Sequence, residues 1–508
     1  MALGREQDPR WGELRLGNGR IVLDPQPRRA EAVPFAVAFF GHCPGPVRPE
    51  RLRRRTRERL VAMGFGRLWE AGPEPTTALE RARQRLQHVP LPFASVAELY
   101  DVFPQAATAA TSYASDLAGA TAWLPRAVED FFSAGGRDAF VIVLPEDEAQ
   151  DAFLPAESTH PTALAWELAG LGLLRVLPEV ALVALPDLER LQIPADLADP
   201  ARVQLPNPVA RFVPCGTSLD DDHRERRYSS EMVAPPAPRA TDEILRPVLR
   251  FLLRERPDVQ CLYTLPLASR YQTSDPSLGG QSRPTPLRLD EAAVAFLADT
   301  LPEAERQRLQ ALYPYLRGPR FLLGSPAGLV AGTIARSAQE EGPWRSVAGR
   351  ALATDAVPLP ALSALKAAEL RERLGVSVLV PLSGTVQLDD ERSASEVFAN
   401  SAETVRFWGY LRRALERLGH ELVFRVDPLD PAPRIALEGF FNALYQRRAL
   451  RGSQAAEAFR IWTSQPAEGA VAYEIELAPA FPVDRIRLAF VNSDGQWSVV
   501  PRPEVPGV

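Results

Sequence analysis

The spacing of apolar residues is clearest between Phe398 and Phe490, where it changes from a helical period to a strand period. From Ala402 to Leu418, Val405, Trp408, Leu411, Leu415 and Leu418 recur every three or four positions, while Arg412, Arg413, Glu416 and Arg417 fall between them. That pattern predicts a helix with one buried side, closed at Gly419. HELVFRVDP then reads as a strand, and the prolines of DPLDPAPR restart the chain. A second helix follows, with Ile435, Leu437, Phe440, Phe441 and Leu444 on one face and Arg447 and Arg448 in its last turn. Beyond it the period drops to two. Val471, Tyr473, Ile475 and Leu477 alternate with smaller or charged residues, as do Ile486, Leu488 and Phe490, which predicts two strands.

Upstream, short apolar runs alternate with helical patterns. Val33 opens a buried strand, PFAVAFFG, followed by a basic helical insert from Pro49 to Leu60 and the segment Phe93 to Pro104. LPRAVEDFFSAGG reads as a helix feeding the continuous apolar strand AFVIVLP. Leu164 to Leu188 reads as helix, turn and strand, and EILRPVLRFLLRERPDVQCLYTLP as helix then strand. A helix ending at Leu312 to Leu316 precedes a possible third strand, PRFLLGSP; Leu323 to Arg350 reads as a loop, and ALSALKAAELRERLG with VSVLVPL as a helix and strand. Strands at these intervals with helices between them imply a mostly parallel, helix-covered sheet. Residues 1–33 are polar and proline-rich apart from the strand-like island Arg20, Ile21, Val22, Leu23 and Asp24 after the turn Gly17-Asn18-Gly19.

Composition narrows the chemistry. At 508 residues the chain exceeds one core, and 46% hydrophobic with 24% charged residues is a globular balance. A net charge of −6 argues against a nucleic-acid coat. Lys366 is the only lysine, so a phosphate-binding P-loop is excluded, and there is no GxSxG or HExxH. Cys43, Cys215 and Cys261 support neither a disulfide framework nor a zinc site. The five histidines are scattered. Asp187 at a strand end marks where an active site could sit. Asp220-Asp221-Asp222-His223 could bind a cation, but consecutive residues point apart, so the preferred reading is an exposed loop with no catalytic residue, no cofactor and no metal. No leader-like or membrane-spanning run is evident, which predicts cytoplasmic assembly.

Six segments in order resemble the sheath protein of contractile phage tails and contractile injection systems: VPFAVAFFGHCPGPV, FASVAELYDVFP, AVEDFFSAGGRDAFVIVLP, the strands VALVALPDL and VQCLYTLP, SPAGLVAGTIARSAQEEGPWRSVAG, and GFFNALYQRRALRGSQAAEAFRIWTS with the two strands after it. The fifth holds Ala327-Gly328, Ala331-Gly332, Arg336 and Glu341-Gly342-Pro343-Trp344. Together they span Val33 to Phe490. Two features depart from the family: GTVQLDDERSAS (Gly384 to Ser395) replaces a tryptophan-glycine-arginine stretch, and the insert at 49–90 is additional.

The resemblance implies an α/β and α+β multidomain fold. It comprises an N-terminal arm (1–32), an α/β region (33–160), a subtilisin-like but catalytically inert α/β middle domain (161–360), an α+β C-terminal sheath domain (361–483) and a C-terminal strand arm (484–508). It further implies a homo-oligomer of stacked hexameric rings around an inner tube protein, with baseplate, cap and sheath-paralogue partners. The arms would be inter-subunit strands carried by Arg20, Ile21, Val22 and Leu23 at one end and by Ile486, Leu488 and Phe490 at the other. The last three are expected at a sheet edge, with the residues beyond Phe490 either extending the strand into a hairpin or trailing off. Two alternatives stand beside this: a non-contracting minor paralogue, cap or baseplate-proximal ring protein, and a metal-dependent α/β enzyme.

Overall fold

The computed structural model describes residues 12–16, 19–23, 35–69, 84–115, 117–155, 163–194, 238–268, 287–382, 384–393, 401–422, 431–464, 471–480, 486–493 and 496–501. It divides into two compact units, one of Phe35–Arg413 and one of Met1–Pro34 with Ala414–Val508.

In chain order the strands are β1 (Gly12–Leu16), β2 (Gly19–Leu23), β3 (Ala36–Gly41), β4 (Leu91–Phe93), β5 (Ala110–Ser115), β6 (Gly119–Thr121), β7 (Ala139–Val143), β8 (Val180–Ala184), β9 (Gln260–Thr264), β10 (Leu267–Ala268), β11 (Arg288–Leu289), β12 (Leu309–Tyr313), β13 (Tyr315–Gly318), β14 (Phe321–Gly324), β15 (Ala351–Leu352), β16 (Val357–Leu359), β17 (Ser377–Leu382), β18 (Thr385–Leu388), β19 (Phe459–Ser464), β20 (Val471–Leu477), β21 (Ile486–Ser493) and β22 (Gln496–Pro501). The longer helices are α1 (Arg54–Leu60), α2 (Val96–Val102), α3 (Leu124–Ser133), α4 (Pro186–Leu191), α5 (Thr241–Glu255), α6 (Ala327–Glu340), α7 (Ala364–Leu374), α8 (Ala402–Glu421) and α9 (Ala432–Gln446).

The larger unit is built on one sheet in the order β15-β18-β17-β12-β9-β8-β3-β7-β4. From β17 to β7 neighbours run parallel, and β3, β7, β8, β9 and β12 are buried along their whole length. Continuous apolar runs such as AFVIV and VALVA are what burial on both faces demands. The sheet takes strands from both sides of residues 160 and 360, where separate domains were expected.

Four local expectations change. Leu309–Tyr313 is a central strand where a helix was expected, and PRFLLG instead supplies β14, an edge of the small sheet β14-β13-β16. Ala165–Glu167 and Gly170–Val176 are 3₁₀ turns, not an α-helix. Much of the expected loop from Leu323 to Arg350 is helix α6, buried at eleven positions. It is short of large apolar residues because it crosses α3 at backbone contact: a Cβ at Gly328 would lie 2.2 Å from the Ala127 carbonyl oxygen, and one at Gly332 would lie 2.3 Å from that of Phe131. Two of the six family-like segments, about two hundred residues apart in sequence, therefore form one helix crossing.

The fourth change concerns α8, which runs on through Gly419 to Glu421, so the first residues of the expected HELVFRVDP strand are helical and 423–430 lie outside the described residues. Gly419 is no terminator. A side chain there would collide with Trp497, at 2.4 Å from its Cβ. Within the larger unit α8 is buried nearly all round, and two of its arginines point inward to carboxylates. Arg406 meets Glu391 at 2.9 Å and Arg413 meets Asp258 at 3.2 Å, so Arg413 does not face solvent as its spacing suggested. Trp344, fully buried, packs edge-on against Phe407 and Tyr410, which gives the Gly-Pro-Trp turn a structural task.

Candidate functional site: strand edges and the carboxyl ends of the sheet

In the smaller unit β19-β20-β21-β22 form an antiparallel sheet. Leu488 and Phe490 are fully buried in β21, and Phe490 stacks on Trp497 with ring centroids 4.5 Å apart. Leu488 and Phe490 therefore do not lie at an edge, because β21 has β20 on one side and β22 on the other, whereas Ile486 pairs with Leu477 of β20 and lies before the first residue paired with β22. The residues beyond Phe490 complete a hairpin: Gln496–Pro501 return along β21 because VNSDGQWSVV carries a turn-forming Asp-Gly between alternating apolar residues. Among the described residues the edge strands of this sheet are β19 and β22.

β19 is the more exposed of these edges. Trp462 is 42% exposed, and Ile461 lines a cavity of about 240 Å³ with Phe459, Arg434, Glu438 and Asn442. Ile435 of α9, expected on the buried face, is 63% exposed; the helix turns Pro433, Leu437, Phe441 and Leu444 inward instead. A strand that carries Ile461 and Trp462 and has, among the described residues, no strand partner on one side is a surface suited to strand addition.

At the other end of the chain Arg20, Ile21, Val22 and Leu23 lie in β2, which pairs with β1 in register Glu13↔Val22 and Leu14↔Ile21. The island is half of a hairpin rather than a lone strand. A two-stranded hairpin is at best marginally stable in water and needs further packing.

The carboxyl ends of the parallel strands are where an α/β enzyme would keep its catalytic groups. Here Asp187 is fully buried and accepts backbone N–H groups from His42 (2.8 Å), Trp123 (2.8 Å) and Leu124 (3.0 Å), tying the end of β3 to the start of α3. His42 Nδ1 shares a hydrogen bond with the Tyr113 hydroxyl at 3.0 Å, and burial holds its pKa below the ordinary value. Arg190 donates to Thr111 Oγ1 and to the carbonyls of Tyr113 and Gly119 at 2.9–3.0 Å. Glu189, also fully buried, accepts from the Thr264 N–H at 2.9 Å, and desolvation pushes its carboxyl up to about 8. These groups hold loops and helix starts in place. Of Asp187, Glu189 and Arg190, sequence reasoning singled out only Asp187, from its place at a strand end.

Among the described residues no three or more His, Cys, Asp or Glu side chains gather to hold a metal, and no helix is long and apolar enough to cross a membrane. Asp220, Asp221, Asp222 and His223 lie outside the described residues.

No family model and no curated protein matches this sequence. Solved structures do. The chain is similar to the contracted-state sheath complex of an extracellular contractile injection system, PVC, at 12% identity over 78% of this chain and 84% of that one, with a TM-score of 0.46. It is also similar to the contracted helical sheath of the anti-feeding prophage, at 14% identity over 95% and 96% with a TM-score of 0.48, and to a chain of that particle's baseplate, at 13% identity over 95% and 96% with a TM-score of 0.48.

Proposed function

We propose that this chain is a structural sheath subunit of a contractile tail or contractile injection system, not an enzyme. It would polymerise in the cytoplasm as stacked hexameric rings around an inner tube and contract to drive that tube through a target envelope. The observation that carries the reading is the run of six family-like segments in matching order from Val33 to Phe490. It is supported by the tasks those segments perform, in the close α3–α6 crossing and the buried Trp344 anchor.

Assembly would use strand addition. Among the described residues the hairpin β1–β2 and the edge strands β19 and β22 each have a backbone side without a strand partner, and pairing between copies would set register along a lattice. Main-chain arms of this kind act as hinges while the bodies they join slide, so a lattice can shorten without coming apart. Energy would be stored during assembly of the extended form. It would be released as bodies gain contacts, each exposed Arg–carboxylate pair adding ~0.2–1 kcal/mol over many subunits.

Removal of residues 484–508 would take away β21 and β22 and with them half of a folded sheet, so it cannot serve as a simple test of an arm. The test is instead deletion of 1–24, paired with lysines on the two edges: Trp462→Lys with Thr463→Lys on β19, and Ser498→Lys with Val500→Lys on β22. Each variant is expected to fold and to form no long tubes in electron micrographs. Tubes of normal length from all three would overturn the strand-addition reading.

A further inference from the structure

Between β6, the start of α3 and β14 lies a cavity of about 220 Å³ whose walls include Leu117, Trp123, Ala127 and Leu323, all buried. It opens past Arg126 and Arg320 into a wider cleft of about 510 Å³ that the same two arginines also line. Arg126 is already committed: it lies over the Phe321 ring at 4.4 Å and bonds Asp130 at 2.8 Å. Arg320 is different. It is exposed and lines both spaces, and its charge acts on Asp130 across the outer cleft without the direct side-chain bond that Arg126 makes there. Of the cleft's carboxylates, Asp130 is bonded to Arg126, and Glu129 takes the Tyr100 hydroxyl; Asp355 stands with Thr354 in the outer cleft and does not line the inner cavity.

A largely apolar cavity with an exposed guanidinium at its mouth is complementary to a compact apolar body carrying a carboxylate, which would take Arg320 in competition with Asp130. We propose that this cavity binds such a ligand, the apolar part enclosed by Trp123 and Leu323 and the carboxylate on Arg320. A free organic acid and the C-terminus of a peptide share this chemistry. The inference is independent of the sheath reading, since it uses only groups within the larger unit.

The test uses the full chain with phenylacetate, 2-phenylethanol, and short peptides ending in leucine as the free acid or the amide, followed by ligand-observed NMR. Saturable binding of phenylacetate, at least about tenfold tighter than 2-phenylethanol and lost to the same extent in Arg320→Gln, is expected. Arg320 is exposed, so this substitution leaves the fold intact. Binding of the peptide acid, but neither its amide nor phenylacetate, would support the site and assign it to a chain terminus. Equal binding of acid and alcohol, binding unchanged in Arg320→Gln, or no saturable binding of any probe would overturn the proposal. Ala122→Phe, which fills the cavity from its wall, should abolish binding even where Arg320 is kept.

Discussion

Alanine at Gly332 should destabilise the larger unit, although alanine is the better helix former. The propensity term favours alanine by about 1 kcal/mol in a helix interior. Against it, the new methyl would lie 2.3 Å from the Phe131 carbonyl oxygen and 2.8 Å from the Ala134 Cβ. Carbon contacts are comfortable at about 3.5 Å, so α3 and α6 would have to part by roughly 1 Å. The obstruction is largely backbone and cannot swing aside, and overpacking of this kind costs ~1–3 kcal/mol, occasionally more. The net expectation is a loss of up to about 2 kcal/mol, toward the upper end because the obstruction is backbone. Gly439→Ala on α9 supplies the control, because its Cβ would meet nothing within 4 Å and the position is exposed. There the propensity gain stands alone, and stability should rise by ~0.5–1 kcal/mol. Hydrogen exchange read peptide by peptide separates the two units: α3 and α6 amides should exchange faster in Gly332→Ala, and α9 amides slower in Gly439→Ala. Unchanged or slower exchange in α3 and α6 would refute the close-crossing argument.

Three further outcomes follow from buried charge. Glu391→Ala leaves Arg406 buried without its carboxylate and should cost ~3–5 kcal/mol in urea unfolding, whereas Glu391→Leu with Arg406→Met should cost much less. Glu189 has a carboxyl raised from its ordinary 4.5 to about 8, so the folded state holds this proton more tightly than the unfolded state. Its contribution is therefore most favourable below about 4.5 and declines as pH rises toward 8; Glu189→Gln should flatten that decline in a series of thermal melts between those values. Asp258, held below the ordinary carboxylate range by Arg256 and Arg413 against the cost of its burial, works in the opposite direction. Asp258→Asn should remove part of the stability that the parent chain loses as pH falls into the acid range, measured in the same way.

How much of this was legible in the sequence depended on whether a residue's task was local. Period-two runs such as VAYEIEL and continuous apolar runs such as AFVIV gave their strands directly, because burial on one face or two leaves a distinct pattern. The helices α3 and α8 likewise follow from apolar spacing, and the six segments in order pointed to a sheath before any coordinate was considered. What escaped was decided by partners distant in the chain. Helix α6 looked like a loop because its glycines are poor helix formers and its small residues leave only a weak apolar stripe, and only the approach of α3 explains why nothing larger fits. Gly419 looked like a helix end until Trp497 occupied the space beside it. Arg413 looked like a solvated charge and nothing local marked Arg406, Glu189 or Arg190, yet a carboxylate, backbone N–H or carbonyl distant in the chain lets each be buried. At Leu488 and Phe490 the expected edge passed to β22 because strand pairing, unlike strand propensity, is settled by which segment returns alongside. Sequence thus determined which segments could be helix or strand and where apolar surface had to go. Tertiary structure alone decided which faces met, because close packing and charge burial are properties of pairs.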